Sequence, residues 1–321
     1  MTASTEPRRT PVATRRRFPD FFIVGHHKSG TTALYEMLKS HPQIYMPALK
    51  EPRYFASDLR VHFEALKTGR VPTTLDDYLA LFDEARPGQL RGEASPSYLR
   101  SRVAARAIAE VQPRARIIAI LREPASFVRS LHFQLMQDRV ETEADLRRAL
   151  AAEQIERAGE RVRRYSDHLH YTEQLQRFND VFPREQMLVL IYDDFRADNA
   201  ATVRHVLRFL GVDDSVQLRA VEANPTVRLR SVHLDRMLRA LQGASGRPRG
   251  AVTRAVTALT PGRLRRAGLG RLRRAILYGK PQPPDEELMR ELRRRFKPEV
   301  RALSDYLGRD LLTLWGYHDV D

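Results

Sequence analysis

Residues 21–34 read Phe-Phe-Ile-Val-Gly-His-His-Lys-Ser-Gly-Thr-Thr-Ala-Leu, and this stretch decides the fold. The apolar run Phe21–Val24 ends on Gly25, which is typical of a short buried strand. Six residues after Gly25, at Thr31, apolar side chains begin to recur at the spacing of one helical face. The stretch therefore predicts a strand, a loop that ends on Gly30, and a helix.

Two further apolar runs, Ile117–Leu121 and Met187–Tyr192, predict interior strands. Helical patterns lie between and after them, at Val103–Val111, Tyr171–Phe182, Ala200–Leu210, Asp285–Tyr306 and Leu311–Trp315. Buried strands that alternate with helices favour an α/β fold, in which helices flank a central parallel sheet.

The composition excludes several classes of protein. The 321 residues are 42% hydrophobic and 30% charged, which is ordinary for a globular chain. There is no cysteine, so disulfides, thiolate metal sites and a cysteine nucleophile are excluded. No run of 18 apolar residues occurs, and the basic start of the chain lacks the apolar stretch of a secretory signal. We therefore expect a cytoplasmic protein.

The net charge of +15 is concentrated in two places. Residues 1–17 hold five arginines and one acidic residue, and we expect them to form a disordered tail. Residues 236–284 hold eleven arginines, Lys280 and no acidic residue, whereas the rest of the chain is close to neutral. This distribution argues against a nucleic-acid-binding protein. We expect residues 18–321 to form one domain, with 236–284 as a basic, mobile segment.

The loop between the first strand and helix has the features of an anion site, because loop amides and a helix N-terminus favour negative charge. Its glycines match the spacing of the nucleotide-hydrolase loop G-x-x-x-x-G-K-[ST], but Thr31 occupies the lysine position. The lysine of this loop is Lys28 instead. This change argues against ordinary ATP chemistry. A glycine-containing turn without a ligand is the alternative interpretation.

At this point the sequence resembles a known family. Gly25–Leu34 is similar to the 5′-phosphosulfate loop of the sulfotransferases that use 3′-phosphoadenylyl sulfate (PAPS). Arg122–Ser130, directly after the second predicted strand, resembles their 3′-phosphate motif. The strand end would aim Arg122 and the next helix would present Ser130, so that a guanidinium and a hydroxyl meet one phosphate.

The loop is close to the form seen in bacterial and heparan-sulfate-type members, and weaker matches extend the resemblance over most of the chain. Lys50–Phe55 is similar to their K-E-x-x-[FY]-F segment, Gly92–Tyr98 to G-E-x-[ST]-x-x-Y, and Leu307–Trp315 to their terminal helix. The late K-G-R loop is represented only by Gly279-Lys280-Pro281. The resemblance implies the nucleotide-kinase-like, P-loop sulfotransferase fold.

The resemblance also implies roles for individual residues. Lys28 would neutralise the leaving phosphate, and Glu51 would act as the general base, with Glu93 and His27 as the next candidates. No metal is expected. The residues expected to bind the donor are His27, Lys28, Ser29, Gly30, Thr31, Thr32, Ala33, Arg122, Ser130 and Lys280.

The implied reaction is in-line transfer of a sulfuryl group from PAPS to a hydroxyl or amine of a carbohydrate, lipid or glycosylated natural product. Adenosine 3′,5′-bisphosphate would be the second product. Two alternatives remain at the level of sequence: a kinase-like phosphotransferase and a non-catalytic protein that binds anions or membrane surfaces. Segment 236–284 would either cap the nucleotide cleft or contact a membrane or polyanion. The acceptor and the oligomeric state stay open.

Overall fold

The computed structural model describes residues 18–59, 71–138, 140–155, 165–219, 228–229, 278–279 and 283–320. The expected tail at 1–17, Lys280 and most of segment 236–284 lie outside the described residues. None of the described helices combines the length and apolar character that a membrane crossing requires.

The centre of the fold is a five-stranded, fully parallel sheet, which confirms the predicted α/β class. Its strands lie in the order β2-β3-β1-β4-β5. In chain order they are β1 Phe21–Gly25, β2 Ile44–Tyr45, β3 Leu90–Ala94, β4 Arg116–Leu121 and β5 Met187–Ile191. The strands β6 Arg228–Leu229 and β7 Tyr278–Gly279 form a separate antiparallel pair.

Helices connect and cover these strands. Those described are α1 Thr31–Lys39, α2 Leu75–Ala80, α3 Ser97–Arg100, α4 Ala104–Val111, α5 Pro124–Asp138, α6 Leu146–Ile155, α7 Tyr171–Asn179, α8 Tyr192–Ala197, α9 Asn199–Leu210, α10 Glu286–Leu307 and α11 Leu311–Trp315. The predicted helices are present with boundaries shifted by up to three residues. The one change of type is Tyr192, which was predicted to end a strand and instead begins α8.

Strand β1 is buried along its whole length, and its alternating side chains serve two cores. Phe22 and Val24 pack in the larger apolar cluster with residues of α7 and α10. Phe21 and Ile23 pack in the second cluster with residues of α1 and α9. Helices on both faces therefore explain why this strand is a continuous apolar run.

Strand β3 was not predicted, because its sequence Leu-Arg-Gly-Glu-Ala is not an apolar run. Its glycine is required by packing: a Cβ on Gly92 would lie 2.1 Å from the Phe21 ring. Its Glu93 is fully buried. Polar residues in the middle of this strand thus hide it from a hydrophobicity pattern.

The sheet order places the functional loops together. From β1 the chain crosses to the β3 and β2 side, whereas β4 pairs with the other side of β1. Such a reversal opens a crevice at the carboxyl ends of the neighbouring strands, where ligands of α/β proteins bind. The loops after β1, β3 and β4 all begin at this edge.

Candidate active site

The loop between β1 and α1 is shaped by two glycines at positive φ. Gly25 has φ +131, and a Cβ there would lie 2.6 Å from the carbonyl oxygen of Ile120. Gly30 has φ +87 and lies against the ring of Phe195. Between them, Lys28 also has a positive φ of 63. A lysine in this region is uncommon, and such backbone outliers cluster at functional sites.

This loop presents hydrogen-bond donors that have no partner among the described residues of the protein. Ser29 is fully buried, and its Oγ has no hydrogen-bond partner within the described residues. Helix α1 begins after Gly30 with no side-chain cap and no acidic residue in its first turn. The first amides of a helix have no acceptor inside it, so those of Thr31, Thr32 and Ala33 are available to an anion.

Arg122 connects this loop to the end of β4. Its Nη1 donates a 2.8 Å hydrogen bond to the carbonyl oxygen of Lys28, and its guanidinium lies 4.8 Å from the centre of the Tyr192 ring. The Lys28 Nζ donates to Oε1 of Gln134 on α5 at 3.4 Å. Burial, and after it the nearby Arg122, lowers the pKa of Lys28.

A pocket of about 140 Å³ lies beside Arg122. Ser130, on α5, contributes to its wall, and the buried Ser130 Oγ has no hydrogen-bond partner among the described residues. The wall also contains Ser126, Arg129, Glu286 and Arg293. Three guanidinium groups and two hydroxyls around one small space suit a doubly charged anion.

Glu51 lies in a cluster of basic side chains. Its carboxylate accepts hydrogen bonds from Lys50 at 2.8 Å and Arg53 at 2.5 Å, and Nδ1 of His27 is 3.9 Å away. Burial alone would raise the pKa of Glu51, but His27, Lys50 and Arg53 together lower it well below its usual range. Glu51 is therefore a carboxylate throughout the neutral pH range.

The backbone around Glu51 is bent in an unusual way. Glu51 and Arg53 both have positive φ, of 61 and 57. The amide of Glu51 donates to the carbonyl oxygen of Ala94 at 3.0 Å, and that of Arg53 to Ser95 Oγ at 3.0 Å. The residues after β3 thus hold the Glu51 segment at the same edge of the sheet as the loop between β1 and α1.

Glu93 lies beneath this segment and is fully buried. Its Oε2 accepts hydrogen bonds from the hydroxyls of Tyr78 at 2.9 Å and Tyr98 at 2.8 Å. Burial raises the pKa of Glu93 to about 7, and these hydrogen bonds oppose the shift. Its contacts identify Glu93 as a support of the loop rather than a group exposed to an acceptor.

The two histidines of the loop differ in their surroundings. His26 is buried against the rings of Tyr171 and Phe127, with centroids 4.7 and 5.1 Å away. Burial lowers the pKa of His26 to about 3. Burial also lowers the pKa of His27 to about 4, although the neighbouring Glu51 opposes this shift. Both imidazoles are neutral at pH 7, and the geometry places only His27 beside Glu51.

Comparison with known proteins identifies the family. A model of the sulfotransferase family matches residues 19–215, more than half of the chain. The chain belongs to the sulfotransferase family. The loop between β1 and α1, the Arg122–Ser130 segment and the Glu51 segment lie within the matched region, whereas Glu286 and Arg293 of the pocket lie beyond it. Of the three interpretations of the sequence, this finding supports the sulfotransferase rather than the kinase or the non-catalytic protein.

Relatives and solved structures agree with this assignment. The human heparan sulfate glucosamine 3-O-sulfotransferase 6 is 36% identical over 114 residues, which cover 35% of this chain and 29% of that enzyme. The Mus musculus bifunctional heparan sulfate N-deacetylase/N-sulfotransferase 1 is 27% identical over 208 residues, 62% of this chain and 23% of that enzyme. The aligned regions thus span less than a third of either relative.

A sulfotransferase from Alicyclobacillus acidocaldarius has a crystal structure similar over almost the full length. It is 27% identical, covers 94% of this chain and 99% of its own, and has a TM-score of 0.67. This likeness confirms the predicted sulfotransferase fold.

In the present chain, most of the predicted donor-binding residues fall into two neighbouring groups. His27 to Ala33 lie in the first loop and the start of α1, and Arg122 with Ser130 lies beside them. Lys280 is outside the described residues. Sequence reasoning missed Ser126, Arg129 and Arg293. Arg129 could have been found one residue before Ser130, but no sequence signal links Arg293 to the pocket.

Proposed function

We propose that this sulfotransferase moves the sulfuryl group of PAPS to a hydroxyl or amine of a carbohydrate, lipid or glycosylated natural product. The observation that carries the proposal is the hydrogen bond between Arg122 and the Lys28 carbonyl oxygen. This hydrogen bond joins the β1–α1 loop, whose donors have no partner among the described residues, to a basic pocket. A ligand with two separate anionic groups requires two such neighbouring sites. PAPS is such a ligand, with a 5′-phosphosulfate and a 3′-phosphate.

In the proposed reaction, the acceptor oxygen attacks sulfur in line with the phosphate oxygen that leaves. A new S–O bond to the acceptor forms, the S–O bond to the 5′-phosphate breaks, and its electron pair stays on that phosphate. Lys28 and the first amides of α1 stabilise the developing charge. The acceptor proton passes to Glu51, and adenosine 3′,5′-bisphosphate is released.

The low pKa of Glu51 is compatible with this role. A carboxylate held by two cations is a weak base towards a free alcohol, but the acceptor O–H becomes far more acidic as its oxygen bonds to sulfur. Proton transfer late in the step therefore needs no strongly basic group. Lys50 and Arg53 would also fix the direction of the carboxylate, which favours a productive orientation.

The acceptor class rests on resemblance. The two aligned relatives are named as heparan sulfate O- and N-sulfotransferases, so saccharide hydroxyls and amines are the first acceptors to test. The experiment is incubation of the purified protein with PAPS and a panel of saccharides, lipids and glycosylated metabolites. A mass increase of one SO3 group is the expected result. Transfer of phosphate from ATP, with none of sulfate from PAPS, would contradict the proposal.

A further inference from the structure

The N-terminus of α5 forms one side of the basic pocket, but its first amides are already occupied. Glu123, just before the helix, is 5% exposed. Its Oε1 accepts from the amide of Ala125 at 3.0 Å and its Oε2 from that of Ser126 at 2.6 Å. A phosphate in this pocket must therefore be recognised mainly by side chains.

Those side chains come from two distant parts of the chain. Arg122, Arg129 and Ser130 lie at or after the end of β4. Arg293 comes from the opposite wall, on α10, which packs against α5. The pocket thus exists only where these two elements meet.

Arg293 lies beside the pocket, and not all of its hydrogen-bond donors have a partner among the described residues. Its side chain is 28% exposed, and its Nε is buried with no hydrogen-bond partner among the described residues. The nearest carboxylate oxygen, Glu123 Oε1, is 3.9 Å from this Nε. That oxygen already accepts from the Ala125 amide and from the Tyr317 hydroxyl at 2.6 Å. Glu123 therefore orients the guanidinium electrostatically, while N–H groups of Arg293 remain available to donate hydrogen bonds to a ligand.

We propose that Arg293 is a specificity-determining residue that binds the 3′-phosphate of the nucleotide, and that α10 is consequently part of the donor site. The inference rests on the proposed use of PAPS. A guanidinium can offer two parallel N–H groups to a phosphate, which neither the serines nor a lysine can do. Arg293 then separates nucleotides that carry the 3′-phosphate from those that lack it.

The test compares two ligands and two matched arginines. Calorimetry gives the Kd of adenosine 3′,5′-bisphosphate and of adenosine 5′-monophosphate for the wild type, Arg293→Gln and Arg294→Gln. Arg294 is the adjacent residue of α10 and is exposed. We expect Arg293→Gln to raise the Kd of the bisphosphate at least tenfold and that of the monophosphate less than twofold. Arg294→Gln should change neither Kd by more than twofold.

The ratio of the two affinities distinguishes recognition from a structural role. Arg293→Gln could weaken the binding of both ligands equally, or leave the binding of the bisphosphate unchanged. Either result would overturn the assignment of Arg293 but would not contradict the proposed function. A wild type that binds no bisphosphate would overturn both. Arg293→Lys, which keeps the charge but not the paired N–H groups, should give an intermediate Kd for the bisphosphate.

Discussion

Lys28 and Glu51 are the two side chains with direct roles in the proposed transfer, since Lys28 would stabilise the leaving phosphate and Glu51 would accept the proton. Both have positive φ, and both are tied to neighbours that fix their direction. The pKa values of the two side chains are lowered by different causes. Burial lowers the pKa of Lys28, whereas three neighbouring groups lower that of Glu51. A bound anion beside Lys28 would reverse that shift and stabilise the ammonium.

Replacement of Lys28 by alanine should reduce turnover about 10- to 100-fold. The departing phosphate loses a charge-assisted hydrogen bond, which is worth roughly 1.5–3 kcal/mol. Arg122→Ala should act chiefly on donor Kd. The measurement is kcat and donor affinity, with Lys39→Ala, at the exposed end of α1, as the control. Normal rates in both variants would show that the phosphate sites have been misassigned.

Glu51→Gln should lower kcat by about 100-fold or more and leave donor affinity unchanged, because the amide cannot accept the proton. His27→Gln tests the next candidate and should have a smaller effect. Kinetics at saturating donor measure kcat, and bisphosphate binding measures the affinity of the donor site, so the two effects are separated. Full turnover in Glu51→Gln would exclude it as the base.

The pH profile supplies an independent test of the base. Glu51 has a lowered pKa and stays ionised as the pH falls from 8 to 5, so kcat/KM should not decline in that window on its account. If Glu93 were the base, its pKa of about 7 would make the rate fall about tenfold per unit below pH 7. A decline of that kind would transfer the role from Glu51 to Glu93.

At the scale of elements, β3 supports the active site through a buried carboxyl group. Tyr78 from α2 and Tyr98 from α3 both donate to Glu93. Oε1 of Glu93 has no hydrogen-bond partner within the described part of the chain. A buried carboxylate in this position is costly, which is why its neutral form is favoured up to about pH 7.

This raised pKa predicts a pH dependence of stability. In the folded state Glu93 keeps its proton up to about pH 7, whereas in the unfolded chain it ionises near pH 4.3. Its contribution is therefore present below about pH 4 and is lost progressively as the pH rises to 7. The difference is on the order of 3 kcal/mol.

Urea unfolding of wild type and Glu93→Gln at pH 5 and pH 8 measures this contribution. The unfolding free energy of Glu93→Gln should fall less between pH 5 and pH 8 than that of the wild type. The exposed Glu36→Gln is the control and should follow the wild type. Parallel behaviour of all three proteins would contradict the raised pKa of Glu93.

Helix α10 places an acidic residue as well as Arg293 on the pocket wall. Glu286, in its first turn, is exposed. Burial and the nearby Arg122 lower the pKa of Arg129, and the charge of Glu286 opposes this shift. Glu286→Gln should tighten bisphosphate binding about two- to fivefold, because a surface charge interaction is worth up to about 1 kcal/mol. Glu287→Gln, in the same turn, is the matched control. Titrations at low and high salt should show the gain shrinking as salt rises.

At the scale of the whole molecule, the end of the chain braces the donor site. Tyr317 donates to Glu123, which is 194 residues away in sequence. Trp315 donates to Asp193 at 2.9 Å, at the start of α8, whose Phe195 packs against Gly30 in the loop between β1 and α1. The C-terminal residues therefore belong to the same structural unit as β4 and α8.

Removal of the Tyr317 hydroxyl tests this bracing. Tyr317→Phe leaves the buried Glu123 carboxyl group with one hydrogen-bond donor fewer, which should lower the unfolding free energy by about 1–3 kcal/mol. Bisphosphate affinity should also fall, because Glu123 loses a hydrogen bond that fixes its position beside the pocket. Denaturant unfolding and calorimetry measure both effects. An unchanged unfolding free energy would mean that this contact adds nothing to stability.

The sequence by itself determined the α/β class. Residues 21–34 and 117–130 each contain strand, loop and helix signals within a short stretch, so local patterns were sufficient to predict these elements. The family resemblance added the prediction that both segments bind phosphate groups of the donor. The family motif added Glu51, which no local pattern distinguishes from a surface glutamate. The roles of these residues stay predictions until the variants are measured.

Only the tertiary structure decided that β3 is a strand, that Glu93 is buried under the Glu51 segment, and that Arg293 lies beside Ser130. Burial in β3 comes from the neighbouring Phe21 and Met46, which close on Gly92, rather than from apolar residues of its own. Arg293 reaches the pocket because α10 packs against α5, although the two helices are far apart in sequence. A polar residue acquires such a partner only when packing brings distant elements together.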